Sequence, residues 1–339
     1  MSTPMPRPRT LLAMGRDTAS RIVDDDVRAR LDRVADVVPG IVADDFSRPE
    51  TAAALGETEV LLTGWGCAPL DATVIDRAPR LRAIVHTAGS VKPFVTDACW
   101  DRGISVSSAA WANALPVAEY TVAAVLMSNK RMLHFRDALR AQRARTDWYE
   151  GYSDVGNYRR TIGVIGASRI GRRVIELLRP YDLTVRLYDP YLPADEADAL
   201  GVRAVGLDEL CATSDVVSVH APELPTTRRM LDRRRLALMR DGATLINTAR
   251  GSLIDTKALV EELVTGRLHA VLDVTDPDPL TPDSPLFDLP NVLLTPHIAG
   301  SMGTEMRRMA DSAVDELARY AAGLPFAHPV LRDELDRAA

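Results

Sequence analysis

From Thr161 onward the chain alternates short apolar runs with stretches long enough for a helix. The runs are "TIGVIG", "TVRLYD", "DVVSVH", "ATLINT", "HAVLDV" and "NVLLTP", all rich in β-branched residues. Strand-like runs separated by helical stretches predict βαβ units and a parallel sheet, hence a doubly wound α/β domain in the middle of the chain. A weaker version of the pattern precedes it. There "TLLAM", "EVLLT", "LRAIVH" and "GISVSS" read as strands and "DDDVRARLDRVA" as a helix, which predicts a smaller α/β domain.

Two more helices are legible. Pro116 to Leu133 reads as one, with Pro116 suited to a first turn, Glu119 complementing the dipole and a body apolar nearly all round, so it should be buried. "GTEMRRMADSAVDELARYAAG" is helical by spacing and ends at Gly323, returning the chain to the first domain. The expected division is residues 1–112 plus 301–339 as one discontinuous domain and residues 113–300 as the other.

Composition narrows the class. At 339 residues the length favours about two domains, and 46% hydrophobic with 26% charged residues argues against a disordered or fibrous chain. A net charge of -6 argues against nucleic-acid or anionic-membrane partners, which call for a basic face. The Arg-rich segment Arg228 to Arg240 is the local exception and reads as a solvated helix face. The start, "MSTPMPRPRT", lacks the apolar core of a signal peptide, and no run approaches the ~18 apolar residues of a membrane span. Cys67, Cys99 and Cys211 are scattered and match no metal spacing, so no metal is expected and a reducing cytoplasm fits.

The stretch "TIGVIGASRIGRRVIELLRPYDLTVRLYDP" joins a strand, a glycine turn, a helix stopped by Pro180 and a second strand ending in Asp189. A dinucleotide fingerprint needs this setting: the helix N-terminus offers N–H groups to the pyrophosphate, and an acid roughly 20 residues on accepts from the ribose. Gly166 and Gly171 are kept, but the middle glycine is Ser168, whose hydroxyl can donate to phosphate. Asp189 would repel a 2′-phosphate, which favours NAD over NADP. Residues 113–300 therefore read as the NAD-binding domain.

Ligands of open parallel sheets bind beyond the carboxyl ends of the strands. Small or polar residues stand there after every run: Ser168, Asp189, "HAPE" from His220, "NTARG" ending in Arg250 and Gly251, Asp273, and "PHIAG" containing His297. A guanidinium at Arg250 can hold a carboxylate and stabilise charge on a carbonyl oxygen, and an imidazole at His297 can exchange a proton with that oxygen. Nicotinamide would carry the hydride, since no side chain can. Together these parts describe interconversion of a 2-oxo acid and a 2-hydroxy acid.

These residues carry a resemblance. "EVLLTGWG", "LRAIVHTAGSV", "NALPVAEYTVA", "GVIGASRIGRRV", "VSVHAPELPTTR", "LINTARGSLIDTKAL", "LDVTDPDPL" and "NVLLTPHIAGS" resemble the D-isomer-specific 2-hydroxyacid dehydrogenases of the glycerate and phosphoglycerate dehydrogenase type. The resemblance implies two Rossmann-like domains with doubly wound parallel sheets and a cleft between them, a homodimer, a D-configured hydroxy acid and NAD (NADH). It implies that Arg250 binds substrate and that His297 is the general acid/base. It places Arg169, Ile170, Asp189, Pro222 and Thr248 against NAD, with His220 beside them, and Asp273 facing the nicotinamide carboxamide. Ala88, Gly89 and Ser90 match the loop whose N–H groups take the substrate carboxylate.

The chain departs from the family at the acid that orients the histidine, a glutamate before proline. That slot holds Asp278, with Asp276 as a decoy by register. Aspartate is shorter by one C–C bond, roughly 1.5 Å; the working hypothesis is that Asp278 still supports His297. Phosphate-handling members carry basic residues near "TGWGCAPL", where this chain has Trp65 and Cys67, so an unphosphorylated substrate with an apolar side group is expected. Lys92 reads as solvated, Cys211 as a small buried hydrophobe, and His86, His134, His269 and His328 as packing or surface residues. The alternative to an enzyme is a non-catalytic NAD-sensing, corepressor-like protein of the same fold.

Overall fold

In the computed structural model, residues 7–144, 147 and 152–335 are described. The first six residues, which belong to the segment read for a signal peptide, and the last four of the expected first domain lie outside the described residues. Among the described residues, one unit runs to Ala114 and resumes at Ser301, and the other comprises Leu115–Gly300.

In the first unit the apolar runs become β1 (Arg9–Ala13), β2 (Asp36–Val42), β3 (Val60–Thr63), β4 (Ala83–His86) and β5 (Ser105–Ser108). They lie parallel in the order β5-β4-β3-β1-β2. The sheet is buried on both faces, as parallel sheets are: Leu11, Leu61 and Ile84 point one way and Leu12, Leu62 and Val85 the other. The helix Asp25–Val34, capped by the Asp24 carboxylate, packs with the helix Met306–Ala321 on the second of these faces.

The strand β2 escapes the sequence pattern because Pro39 and Gly40 interrupt it. An edge position tolerates both. The register slips there, from Thr10 opposite Val37 to Leu12 opposite Val42, with Gly40 at φ +71°.

The second unit holds β6 (Thr161–Ile165), β7 (Thr184–Tyr188), β8 (Arg203–Ala204), β9 (Val216–Val219), β10 (Thr244–Asn247), β11 (His269–Leu272) and β12 (Val292–Leu294). All six expected runs are strands, and β8 is a two-residue edge addition. Their order, β12-β11-β10-β9-β6-β7-β8, is parallel throughout. Ile165, Val217 and Leu245 fill one face, Ile162, Val216 and Ile246 the other. A last strand, β13 (Pro329–Val330), pairs antiparallel with β5 in the first unit.

The helix expected over Pro116–Leu133 forms as Ala110–Asn129, with Pro116 inside it, and a separate helix, Met132–Gln142, follows. Alanines 110, 112 and 114 are strong helix formers and extend the helix upstream of the proline. Its end is set by tertiary bonding: the Gly156 N–H takes the Asn129 carbonyl at 2.8 Å, and Arg131 turns to φ 47°. The Arg-rich segment is helical only over Arg233–Leu238. Several of its arginines pair with acids, Arg234 and Arg235 with Asp208, Arg233 with Glu261 and Arg240 with Asp215.

Candidate active site

The strand order of the second sheet reverses between β6 and β9, so the crevice of a doubly wound sheet opens at the carboxyl ends of these two strands. The Gly166 turn leaves β6 and His220 follows β9. They are in close contact: a Cβ on Gly166, which sits at φ +97°, would lie 2.8 Å from the Ala221 nitrogen and 2.9 Å from the His220 carbonyl oxygen. A Cβ on Gly171 would fall 2.0 Å from the Gly166 oxygen. Both glycines are therefore required by close backbone approach.

Ser168 does not disturb this cradle. Its φ of -63° and ψ of 175° suit any residue, and as N-cap of the helix Arg169–Leu178 its Oγ accepts from the Gly171 N–H at 3.3 Å. The hydroxyl hydrogen stays available to an anion. Arg169 and Ile170 open the first turn, where helix N–H groups have no intrahelical acceptor. The Asp189 carboxylate accepts from the Ala167 N–H at 2.7 Å and the Tyr191 N–H at 2.9 Å, leaving lone pairs on both oxygens. His220 is buried; its Nε2 pairs with Ser218 Oγ at 2.8 Å while Nδ1 has no partner among the described residues. Burial holds this imidazole neutral, with its pKa lowered to about 3. Glycine approach, an open helix end and an acid at the next strand end together fit a dinucleotide.

Beyond β10 the turn "NTARG" is built on Asn247, whose side chain accepts from the Ala249 N–H and donates to the Arg250 carbonyl. Thr248 is buried and its hydroxyl meets that of Thr121 at 3.1 Å. Arg250 is half-buried, and among the described residues its guanidinium has no acidic partner; it donates to the Ala249 carbonyl. Gly251 lies so close to the loop after β11 that a Cβ would sit 2.0 Å from the Thr275 carbonyl. Pro222 is half-buried after β9, and Glu223 beside it accepts from Ser252 Oγ at 2.6 Å, tying this loop to the turn that carries Arg250.

Asp273 is buried directly after β11. Its Oδ1 accepts from Thr295 Oγ1 and the Ile298 N–H, both at 2.7 Å, and its Oδ2 from the Ala299 N–H at 2.8 Å. Its backbone oxygen accepts from the His297 N–H at 3.0 Å. His297 is exposed, in the left-handed region at φ 56°. Asp278 is exposed as well, and the two side chains make no hydrogen bond or ion pair with each other among the described residues. Asp276 instead faces Arg228 at 3.6 Å.

In the first unit the strand order reverses between β1 and β3. Trp65 follows β3, is 44% exposed, and its carbonyl accepts from the Gly15 N–H beyond β1 at 2.9 Å. Ala88, Gly89 and Ser90 follow β4: Ala88 is buried against Ala109, Ala112 and Met309, and the other two are half-buried.

Of the remaining singled-out residues, His86 and Cys211 are buried, His134 is exposed and His328 stacks on Trp111 with ring centroids 5.4 Å apart. Tyr120 and Thr295, which contact the Asp273 cluster, were not singled out by sequence. Both lie inside quoted motifs, but only their 2.8 Å hydroxyl contact distinguishes them. Among the described residues there is no group of three or more His, Cys, Asp or Glu placed to hold a metal, and no helix long and apolar enough to cross a membrane.

Residues 122–299 match the family model described as "D-isomer specific 2-hydroxyacid dehydrogenase, NAD binding domain". The D-3-phosphoglycerate dehydrogenase of Methanocaldococcus jannaschii is 33% identical over 278 residues, 81% of this chain and 52% of that protein, so the chain spans about half the length of such relatives. The glyoxylate/hydroxypyruvate reductase B of Yersinia enterocolitica is 32% identical over 284 residues, 82% of this chain and 85% of that one. Among solved structures, the TT0316 protein from Thermus thermophilus superposes with a TM-score of 0.74 at 31% identity, covering 95% of this chain and all of the other.

Proposed function

Because the chain belongs to the D-isomer specific 2-hydroxyacid dehydrogenase family, we propose that it interconverts a small 2-oxo acid and a D-2-hydroxy acid using NAD(H). The observation that carries this reading is the pairing, on one sheet, of a glycine cradle at the switch point with an arginine after β10 that has no acidic partner among the described residues and an exposed histidine after β12. Nicotinamide supplies or accepts the hydride. In reduction, His297 gives its proton to the substrate oxygen as charge builds there, and Arg250 holds the carboxylate and lowers the cost of that charge.

Gly166, Ser168, Arg169 and Ile170 take the pyrophosphate on N–H groups and a hydroxyl, and Asp189 takes the ribose. Pro222, Thr248 and Asp273 serve the nicotinamide end, with His220 as a neutral packing surface under the glycine turn. In the first unit, Ala88, Gly89 and Ser90 offer N–H groups to a carboxylate and Trp65 selects an apolar side group over a phosphate. Asp278 supports His297, by a movement of its loop toward the imidazole. A cytoplasmic homodimer completes the proposal, on the strength of the family resemblance and the scattered cysteines.

The test is NADH oxidation by the purified protein against 2-oxo acids from glyoxylate and pyruvate to phenylpyruvate and oxaloacetate, with NADPH in parallel. Turnover abolished by His297→Asn supports the reading. Tight NADH binding without reduction of any acid would replace it with the NAD-sensing alternative.

A further inference from the structure

His297 holds a left-handed backbone conformation, φ 56°, that is disfavoured for any residue with a Cβ and persists where the surroundings enforce it. Here the loop on either side of it is held by one buried residue, while the His297 N–H is shared between the Asp273 and Thr295 carbonyls at 3.0 and 3.1 Å. Asp273 gathers the Thr295 hydroxyl and the N–H groups of Ile298 and Ala299 on its side chain, and the His297 N–H on its carbonyl. The loop from Thr295 to Ala299 is thus wrapped around one residue at the end of the neighbouring strand.

The cluster extends one step further, and its polarity follows from hydrogen counting. The Thr295 hydroxyl donates to Asp273 Oδ1, and a hydroxyl has only that one hydrogen to give. Its oxygen can then only accept from the phenol of Tyr120, 2.8 Å away. Tyr120 stands on the helix Ala110–Asn129, so the helix is tied through two hydroxyls to the ends of β11 and β12.

We propose that Tyr120 and Thr295 are positioning residues, which through Asp273 fix the loop that presents the His297 imidazole. The chemical consequence rests on the proposed dehydrogenase reading; the clamp itself does not. The arrangement is compatible with a cofactor contact at Asp273, because Oδ2 accepts only the Ala299 N–H among the described donors and keeps an acceptor direction. It also assigns work to a tyrosine hydroxyl that sequence spacing leaves anonymous.

The experiment compares the full-length protein with Thr295→Val, Thr295→Ser, Tyr120→Phe and the Thr295→Val/Tyr120→Phe double variant. Two readouts are taken: amide exchange of the segment spanning residues 295–299, and steady-state kinetics with the best 2-oxo acid. Thr295→Val is expected to speed exchange of that segment about tenfold and to lower kcat about tenfold with the NADH KM within about twofold, since small misplacements cost rate more than binding. Tyr120→Phe should do the same about threefold, and Thr295→Ser should behave as the parent. Because Tyr120 acts through the Thr295 oxygen, the double variant should be no worse than Thr295→Val. Unchanged exchange in Thr295→Val, multiplicative effects in the double variant, or a rise in KM without a fall in kcat would each overturn the proposal. If the parent protein reduces no acid, the dehydrogenase reading falls, while the exchange data and their double-mutant cycle still decide the clamp.

Discussion

The Asp189 carboxylate accepts a hydrogen bond from the Ala167 N–H at 2.7 Å, so the acid that ends β7 also fastens the glycine turn that ends β6. Asp189→Asn keeps the shape but removes the charge and sets an amide where two N–H donors converge. The expected outcome is an NADH KM raised about tenfold and a lowered KM for NADPH, read by kinetics with both cofactors. An unchanged ratio of the two would remove Asp189 from cofactor selection.

Gly171→Ala tests the cradle itself. The added Cβ would lie 2.0 Å from the Gly166 backbone oxygen, whereas one on Gly206 meets nothing within 4 Å among the described residues. Gly171→Ala should cost about 1–3 kcal/mol of stability and weaken NADH binding about tenfold or more; Gly206→Ala should do neither. Thermal unfolding and fluorescence titration with NADH measure both.

Asp278 and His297 are exposed and unbonded to each other. If Asp278 moves in to support the histidine during turnover, Asp278→Asn should lower kcat about tenfold and shift the acid limb of its pH profile. Asp278→Glu, with roughly 1.5 Å more reach, should equal or exceed the parent. Identical pH–rate profiles for the parent and Asp278→Asn would end this assignment.

Burial lowers three histidines from the ordinary 6.5, His86 and His220 to about 3 and His269, also beside Arg131, to about 4. These folded-state values lie below the unfolded one, so the unfolded chain takes up protons first as pH falls. Their contribution is complete above pH 6.5 and is lost as pH drops toward 3. Between pH 6.5 and 5, above the carboxylate range, stability should therefore decline, with a limit on the order of 1 kcal/mol per fully buried histidine per pH unit. His86→Gln should flatten that slope in urea titrations; an equal slope would show that His86 is not neutral in the fold.

Trp65, 44% exposed at the switch point of the first sheet, is available to a ligand. Trp65→Arg is expected to move relative kcat/KM toward oxaloacetate over phenylpyruvate by about tenfold. Equal relative rates would make Trp65 a surface residue with no part in selectivity.

Much of this protein was legible in the order of its residues. The ten expected strands are all present, because parallel strands covered on both faces favour short runs rich in apolar and β-branched residues, and their spacing must leave room for helices. Asp24, read as part of its helix, and Ser168, read only as a phosphate donor, both prove to be helix N-caps. The glycine turn was readable despite Ser168, since φ -63° asks nothing special of that residue. The strand β2 and the true ends of the helix Ala110–Asn129 were not, because an edge strand tolerates Pro39 and a remote Gly156 N–H ends the helix.

By itself the sequence determined the periodicities, and with them two α/β sheets, the turns at their strand ends and the chemistry standing in those turns. These are local properties, set by side-chain volume, backbone freedom and hydrogen-bonding capacity over a few residues. Only the tertiary structure decided that Asp273 grips the loop of His297, that Tyr120 reaches Thr295 across 175 positions, and that Asp276 faces Arg228 rather than the histidine. Such pairings depend on strand order and on distances of a few tenths of an ångström between residues far apart in the chain, and no spacing along the chain encodes them locally.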